Sequence, residues 1–206
     1  MKKIIVEKDK HAVDRRVRKT KKLLKQGLIT LLMEKDINDI TINELVNLID
    51  INRGTFYLHC RDLRDLLTQI QDEVMTELSR ILEKYSAEDM QTQDLPFIID
   101  ILKYIKENAD LCTLLMKENG DATFLNKLKR MVEENCFENL KLIYQHDNPY
   151  AYSVFATFAV SGSIGIIQLW LSTGHKEPVE VVAKTMSQLI DKGLGYLSSP
   201  SSAAGK

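Results

Sequence analysis

Apolar residues recur along this chain at helical spacing, and between residues 41 and 67, TINELVNLIDINRGTFYLHCRDLRDLL, the pattern marks out two short helices and the start of a longer one. Ile42, Leu45, Val46 and Ile49 fall on one helical face. Ahead of them, Thr41 and Glu44 have the spacing of a capping box, in which the hydroxyl takes the third helical N–H and the carboxylate reaches back. After Asp50 and Ile51, Asn52 offers a side-chain oxygen to cap a second helix. Ile51 and Phe56 flank that cap as a hydrophobic staple, which fixes the angle at which the second helix leaves the turn. Two capped helices across a short turn predict a helix-turn-helix over residues 41–60, whose second helix can lie in a major groove.

The same periodicity continues on both sides. Residues 1–13 are expected to form a loose arm. Asp14 is placed to cap a helix to about Lys35, with Val17, Leu24, Leu28 and Leu31 on its core stripe. Arg15, Arg16, Arg18, Lys19, Lys21, Lys22 and Lys25 occupy its other faces, and its N-terminal end suits a phosphate. Met33 to Ile40 reads as a polar connection. Asp62 and Asp65 cap a helix running to about Tyr85 through Leu66, Ile70, Val74, Leu78 and Leu82, and residues 86–94 read as a polar junction. From Leu95 follow five further stripes: Phe97 to Ile105, a short helix over 110–116 ended by Asn119-Gly120, a long one over 122–145, another over 150–172, and a last from Pro178 to about Tyr196. The tail 198–206 carries no such pattern. The expected fold is all-α with about nine helices. Its expected parts are a helix-turn-helix domain at 1–67, a linking helix and junction at 68–93, and a second helical domain at 94–197.

Tyr150 to Gly174 contains no charged residue, which by length alone allows a membrane span. Ser153, Thr157, Ser161, Gly162, Ser163, Gly165 and Gln168 dilute it, so a helix buried in a core or an interface fits better. Gly162 and Gly165 would let another helix approach closely.

Composition and charge sharpen this picture. Hydrophobic residues at 44% and charged residues at 28% describe an ordinary soluble protein, and four prolines and nine glycines favour helices. Residues 1–64 hold 15 Lys and Arg against 9 Asp and Glu, while the remainder holds 13 against 20. Only the first part is therefore suited to a polyanion. Cys60, Cys112 and Cys136 are scattered without a CxxC, which argues against a disulfide framework or a metal site and fits a reducing cytoplasm. The apolar stretch of a signal peptide is missing from MKKIIVEKDKHAVDRR. No phosphate loop, GxSxG or HExxH is present, and His146-Asp147 is the one adjacent acid–base pair, so neither an enzyme nor a cofactor is expected.

On the second helix of the motif, Phe56 is expected to face the core. Arg53 is the best base reader, because a guanidinium can bond both acceptors of guanine. Thr55 suits a thymine methyl or a phosphate, and Leu58 an apolar contact. The run Arg53-Gly54-Thr55-Phe56-Tyr57-Leu58-His59-Cys60, followed by Asp62, Asp65, Leu66 and Leu67, resembles the TetR/AcrR family of bacterial transcriptional regulators over roughly residues 14–70. Four positions depart from its pattern. Asp50 stands at the usual turn Gly, Asn52 at a frequent Ser cap, Cys60 at the usual Phe, and Leu63 at a phosphate-contacting Lys that Arg61 or Arg64 would replace.

The resemblance implies further roles. Tyr57 and His59 would contact phosphate or groove wall, Thr41 would sit near the DNA backbone, and Asn43 holds a position that reaches a base in some relatives. The helix after the motif would link the two domains mechanically. The C-terminal domain would bind a small effector, with Phe97, Ile101, Tyr104, Met116, Phe137, Phe155 and Phe158 as candidate walls, each of which also fits a plain core. The last two helices would pair with those of a second copy, with Gly162, Gly165, Ile166, Ile167 and Trp170 as candidates that equally fit the intrachain core. Two recognition helices about a twofold axis read half-sites ~34 Å apart, so a palindromic operator is expected. The expected protein is a homodimeric repressor released by a small apolar effector. The alternative is a regulator, even an activator, controlled by a protein partner.

Overall fold

A computed structural model describes residues 2–86, 88–89, 96–117, 122–143 and 149–198, and among them there is no strand. Nine α-helices are described: α1 Lys2–Glu34, α2 Ile42–Leu48, α3 Arg53–Tyr57, α4 Leu63–Leu82, α5 Pro96–Glu107, α6 Ala109–Leu115, α7 Ala122–Ile143, α8 Pro149–Ser172 and α9 Val179–Ser198. A short 3-10 turn over Ile37–Asp39, capped by the Asp36 carboxylate, joins α1 to α2. The chain divides into two compact units, Met1–Glu73 and Val74–Lys206, and α4 contributes its first half to one and its second half to the other. The expected tail, the Asn119-Gly120 stop and most of the polar junction lie outside the described residues.

In the first unit, Leu24 and Leu28 of α1, Leu45 and Val46 of α2, Phe56 of α3 and Leu63, Leu66 and Ile70 of α4 form the buried centre. Gly27 stands where α1 meets α2. A Cβ there would lie 2.5 Å from Ile49 Cγ2 and 2.8 Å from Leu45 Cδ1, so the crossing requires the missing side chain. Two sequence expectations fail on α1. The helix starts at Lys2, not at Asp14, because the preceding residues contain neither Gly nor Pro to stop it. Val17 is exposed, one turn and more beyond the elements that cover Leu24.

The second unit is built round α8. Ten of its residues are buried, among them Phe155, Val160, Ile164, Ile167, Trp170 and Leu171. By length and composition α8 could cross a membrane, yet one apolar face of it packs on α5, α6, α7 and α9, as a core helix requires. Its end is fixed by local chemistry. Gly174 and His175 take positive φ (74° and 42°), and the His175 N–H reaches back to the Trp170 carbonyl at 2.8 Å. The Trp170 indole N–H donates to the Glu177 carbonyl (2.9 Å), and Gln168 donates its amide to the Met116 carbonyl (2.7 Å). These two bonds satisfy polar atoms inside an apolar layer. At the start of the unit, the Tyr85 hydroxyl donates to Asp100 (2.8 Å), and burial together with that carboxylate raises the phenol's pKa.

Candidate nucleic-acid interface and effector cavity

The α2–turn–α3 geometry follows from short-range bonds. The Glu44 N–H donates to Thr41 Oγ1 (3.2 Å), and the Thr41 N–H donates to Glu44 Oε2 (2.8 Å), which is the expected capping box. Lys35 also donates to Glu44 (2.6 Å), tying the end of α1 to the start of α2. The Lys35 bond and the Thr41 bonds pull the Glu44 carboxyl down to about 2. In the turn, Asp50 adopts φ 53°, the left-handed conformation that a short polar side chain tolerates, and the Ile51 N–H closes on the Val46 carbonyl (3.0 Å). Asn52 then caps α3: its Oδ1 accepts from the Thr55 N–H (2.7 Å) and from the Thr55 hydroxyl (3.0 Å).

Those caps orient the side chains of α3. Phe56 is 0% exposed and sets the helix against the core, while Leu58 is 83% exposed, and Arg53, Gly54 and Tyr57 also face outward. Thr55 and His59 are half-buried. Thr41 and Asn43 at the start of α2 are exposed. Asn52 is exposed too, but its carbonyl oxygen is committed to the cap, leaving the amide N–H groups to face outward. Cys60 fills a buried position, and burial pushes its thiol up to about 11, so the side chain serves as a small apolar plug. Gln69 braces this corner, donating to the His59 carbonyl at 3.2 Å.

The start of α4 differs from a simple cationic contact. Leu63 is buried, and Asp62 caps the helix by accepting from the Asp65 N–H (2.8 Å). Asp65 in turn accepts from the Arg61 N–H (2.8 Å) and pairs with its guanidinium (3.4 Å), bonds that hold its carboxyl below the ordinary range. Arg64 donates to Asn38 Oδ1 in the 3-10 turn. Both arginines are exposed. Arg15, Arg16 and Arg18 are exposed along α1. Because α1 runs back to Lys2, they sit within a helix and not at its N-terminal end, so the expected dipole assistance to a phosphate is lost and their charge alone remains.

Within the second unit lies an apolar cavity of about 160 Å³. Five of the seven expected wall residues line it: Phe97, Ile101, Tyr104, Met116 and Phe155. Phe137 instead packs edge-on against Tyr152 at 6.2 Å, and Phe158 is 63% exposed. Val74, Leu78 and Leu82 of α4 also line the cavity; their helical stripe is visible in the sequence, but its facing a cavity is not.

Of the residues expected at a dimer face, Gly162 and Gly165 are exposed, with open space where a Cβ would stand. Ile167 and Trp170 (3% exposed) belong to the intrachain core, and Ile166 packs against it. The outward apolar stripe of α8 consists of Val154, Phe158 and Leu169 with the two glycines between them, at spacings of three and four. Val181 and Leu189 of α9 are exposed as well. That second stripe could have been read from the sequence by the same periodicity, but it competed with a more apolar one.

Comparison with known proteins agrees with this architecture. Residues 93–192 match the family model TetR_C_8, a transcriptional regulator C-terminal region. The chain is 27% identical over 187 residues to an uncharacterized HTH-type transcriptional regulator, YxbF, of Bacillus subtilis (strain 168). That alignment takes in 90% of this chain but 48% of the relative, so the chain spans about half the relative's length. Among solved structures, a TetR transcriptional regulator from Streptococcus agalactiae 2603V is similar at 26% identity and a TM-score of 0.61, covering 87% of this chain and 98% of its own. FadR from Bacillus subtilis in complex with stearoyl-CoA shares the fold at 13% identity and a TM-score of 0.60, covering 83% and 97%.

Proposed function

We propose that this chain is a TetR-family transcriptional regulator, acting as a homodimeric repressor on a palindromic operator in the bacterial cytoplasm, a reading supported by its fold, its C-terminal family match and its relatives. The observation that carries the DNA reading is the division of α3: Phe56 is wholly buried, while Arg53, Tyr57 and Leu58 project outward from a helix whose start is locked by Asn52. Arg53 reads a base edge, Thr55 and Leu58 add apolar contact, and Thr41, Tyr57, His59 and the exposed arginines hold the phosphates. A helix of five residues makes few contacts, so selective binding calls for two copies. The Val154–Leu169 stripe, with Gly162 and Gly165 open within it, supplies a surface on which a second α8 can approach closely.

The cavity supplies the effector site. Val74, Leu78 and Leu82 of α4 form part of its wall, and α4 begins directly after the helix-turn-helix. A molecule held there contacts that helix, and it regulates DNA binding to the extent that it favours one placement of α4 over another. FadR, a protein of this fold seen with stearoyl-CoA, supports a ligand-responsive reading.

Selection of binding sites from random duplexes tests the DNA reading and the dimer together. Enrichment of two inverted half-sites about one helical turn apart is the expected result. A single unrepeated site, or no enrichment over bulk DNA, would sink it.

A further inference from the structure

The effector reading leaves the ligand's chemistry open, and the cavity narrows it. Resting on that reading, we propose that the ligand is an uncharged molecule of single-ring size, a monocyclic aromatic or a compact aliphatic with at most one hydroxyl or carbonyl, and not an acyl-CoA or an organic ion. Size is the first argument. The cavity holds about 160 Å³, and an apolar cavity of ~150 Å³ is filled by one benzene ring.

Charge is the second argument. Among the described residues, the wall contains no Asp, Glu, Lys, Arg or His. An ionised carboxylate or ammonium would leave water and meet no counter-charge, an arrangement that strongly disfavours the ion. Cys136 shows the wall's character: burial, with Glu133 nearby, pushes its thiol up to about 11, so it contributes a neutral group.

Polar anchoring is the third argument. Among the described residues, polar side chains reach the wall chiefly from Tyr104, Asn135 and Ser163. The Asn135 carboxamide oxygen already accepts from Asn139 (3.2 Å). So sparse a polar lining suits a ligand with little hydrogen-bonding capacity of its own.

The test uses the full chain and five probes, toluene, p-cresol, benzoate, benzylamine and stearoyl-CoA, by calorimetry and thermal melting at pH 7.5. Toluene and p-cresol are expected to bind. At a hundredfold excess over Kd they should raise Tm by about 5–10 °C. Benzoate, benzylammonium and stearoyl-CoA should bind at least ~100-fold more weakly. Equal or tighter binding by any of these three overturns the proposal, as does the failure of both neutral probes to bind folded protein at their solubility limit.

Ala159→Leu, which fills the cavity, should abolish the toluene shift, and unchanged toluene binding by a folded A159L also overturns the proposal. If that variant does not fold, the neutral and charged pairs on the unaltered protein decide alone. DNA affinity on the selected duplex is read separately. Toluene bound without effect on DNA leaves the ligand class standing and sinks the effector reading, whereas release from DNA by stearoyl-CoA does the reverse.

Discussion

The two units of this chain are held by different kinds of interaction. In the first, short-range polar bonds set the geometry: the Thr41–Glu44 box, the Asn52 cap, the Asp62–Asp65 cap and the left-handed Asp50 each close within a few residues. In the second, Val160, Ile164, Ile167 and Trp170 of α8 are covered by residues from α5, α6 and α9, far away in sequence, and the packing leaves a cavity. The first arrangement fixes side-chain direction closely, as the proposed matching of base edges within a hydrogen-bond length requires. The second tolerates a void that a guest can fill, as the proposed effector site requires.

The largest test of this contrast is Phe56→Ala. Removing a fully buried aromatic ring should cost about 3–5 kcal/mol. The loss should appear first as faster amide exchange in α2 and α3, and an equal loss in α8 would mean that the two units are not separately held. Next come two glycines with opposite surroundings. Gly27→Ala puts a Cβ 2.5 Å from Ile49 and should cost about 1–3 kcal/mol by denaturant unfolding. Gly165→Ala meets open space, so helix propensity alone should raise the stability of the isolated chain by up to about 1 kcal/mol. Weaker self-association of G165A in sedimentation, despite that gain, would mark the approach of a second helix there.

Arg53→Ala should lower affinity for the cognate duplex by about 1–3 kcal/mol and relax preference at one base position, with Tm unchanged. A footprint identical to that of the unaltered protein would mean that α3 is misassigned as the reader. Thr41→Ala should cost about 1 kcal/mol of stability, because one capping bond is lost from an exposed helix start.

The smallest effect is on pH. The Glu44 carboxyl lies lower in the folded chain, at about 2, than its ordinary value of 4.5. Its contribution is therefore fully present above about 4.5 and fades as pH falls from there towards about 2. Acid titration of stability in Glu44→Gln should lack that component, and matching curves for the two proteins would count against the capping box as an ion-linked feature.

Much of the first unit was legible without coordinates. The residues that build α2, the turn and α3 are contiguous, and each bond joins groups at most five residues apart, so spacing alone implied the caps and the inward Phe56. The errors there involve reach along α1. Asp14 looks like a cap, but a cap is used only where the helix has a reason to begin. The roles of Arg61 and Arg64 also needed the fold, since Asp65 and Asn38 meet them through the placement of α4 and of the 3-10 turn.

In the second unit, periodicity located α5 to α9, and the apolar character of its wall residues was plain. Which face of α8 turns inward was not. Trp170 and Ile167 were as eligible for an interface as Phe158, and only the positions of α5, α6 and α9 assign the first two to the core and leave the third outside. The sequence by itself determined the helices, their caps and the cationic face of the motif, because those depend on neighbours along the chain. Tertiary structure alone decided the cavity, its uncharged wall and the outward stripe, because a void and an exposed face are properties of several helices together and are written in none of them singly.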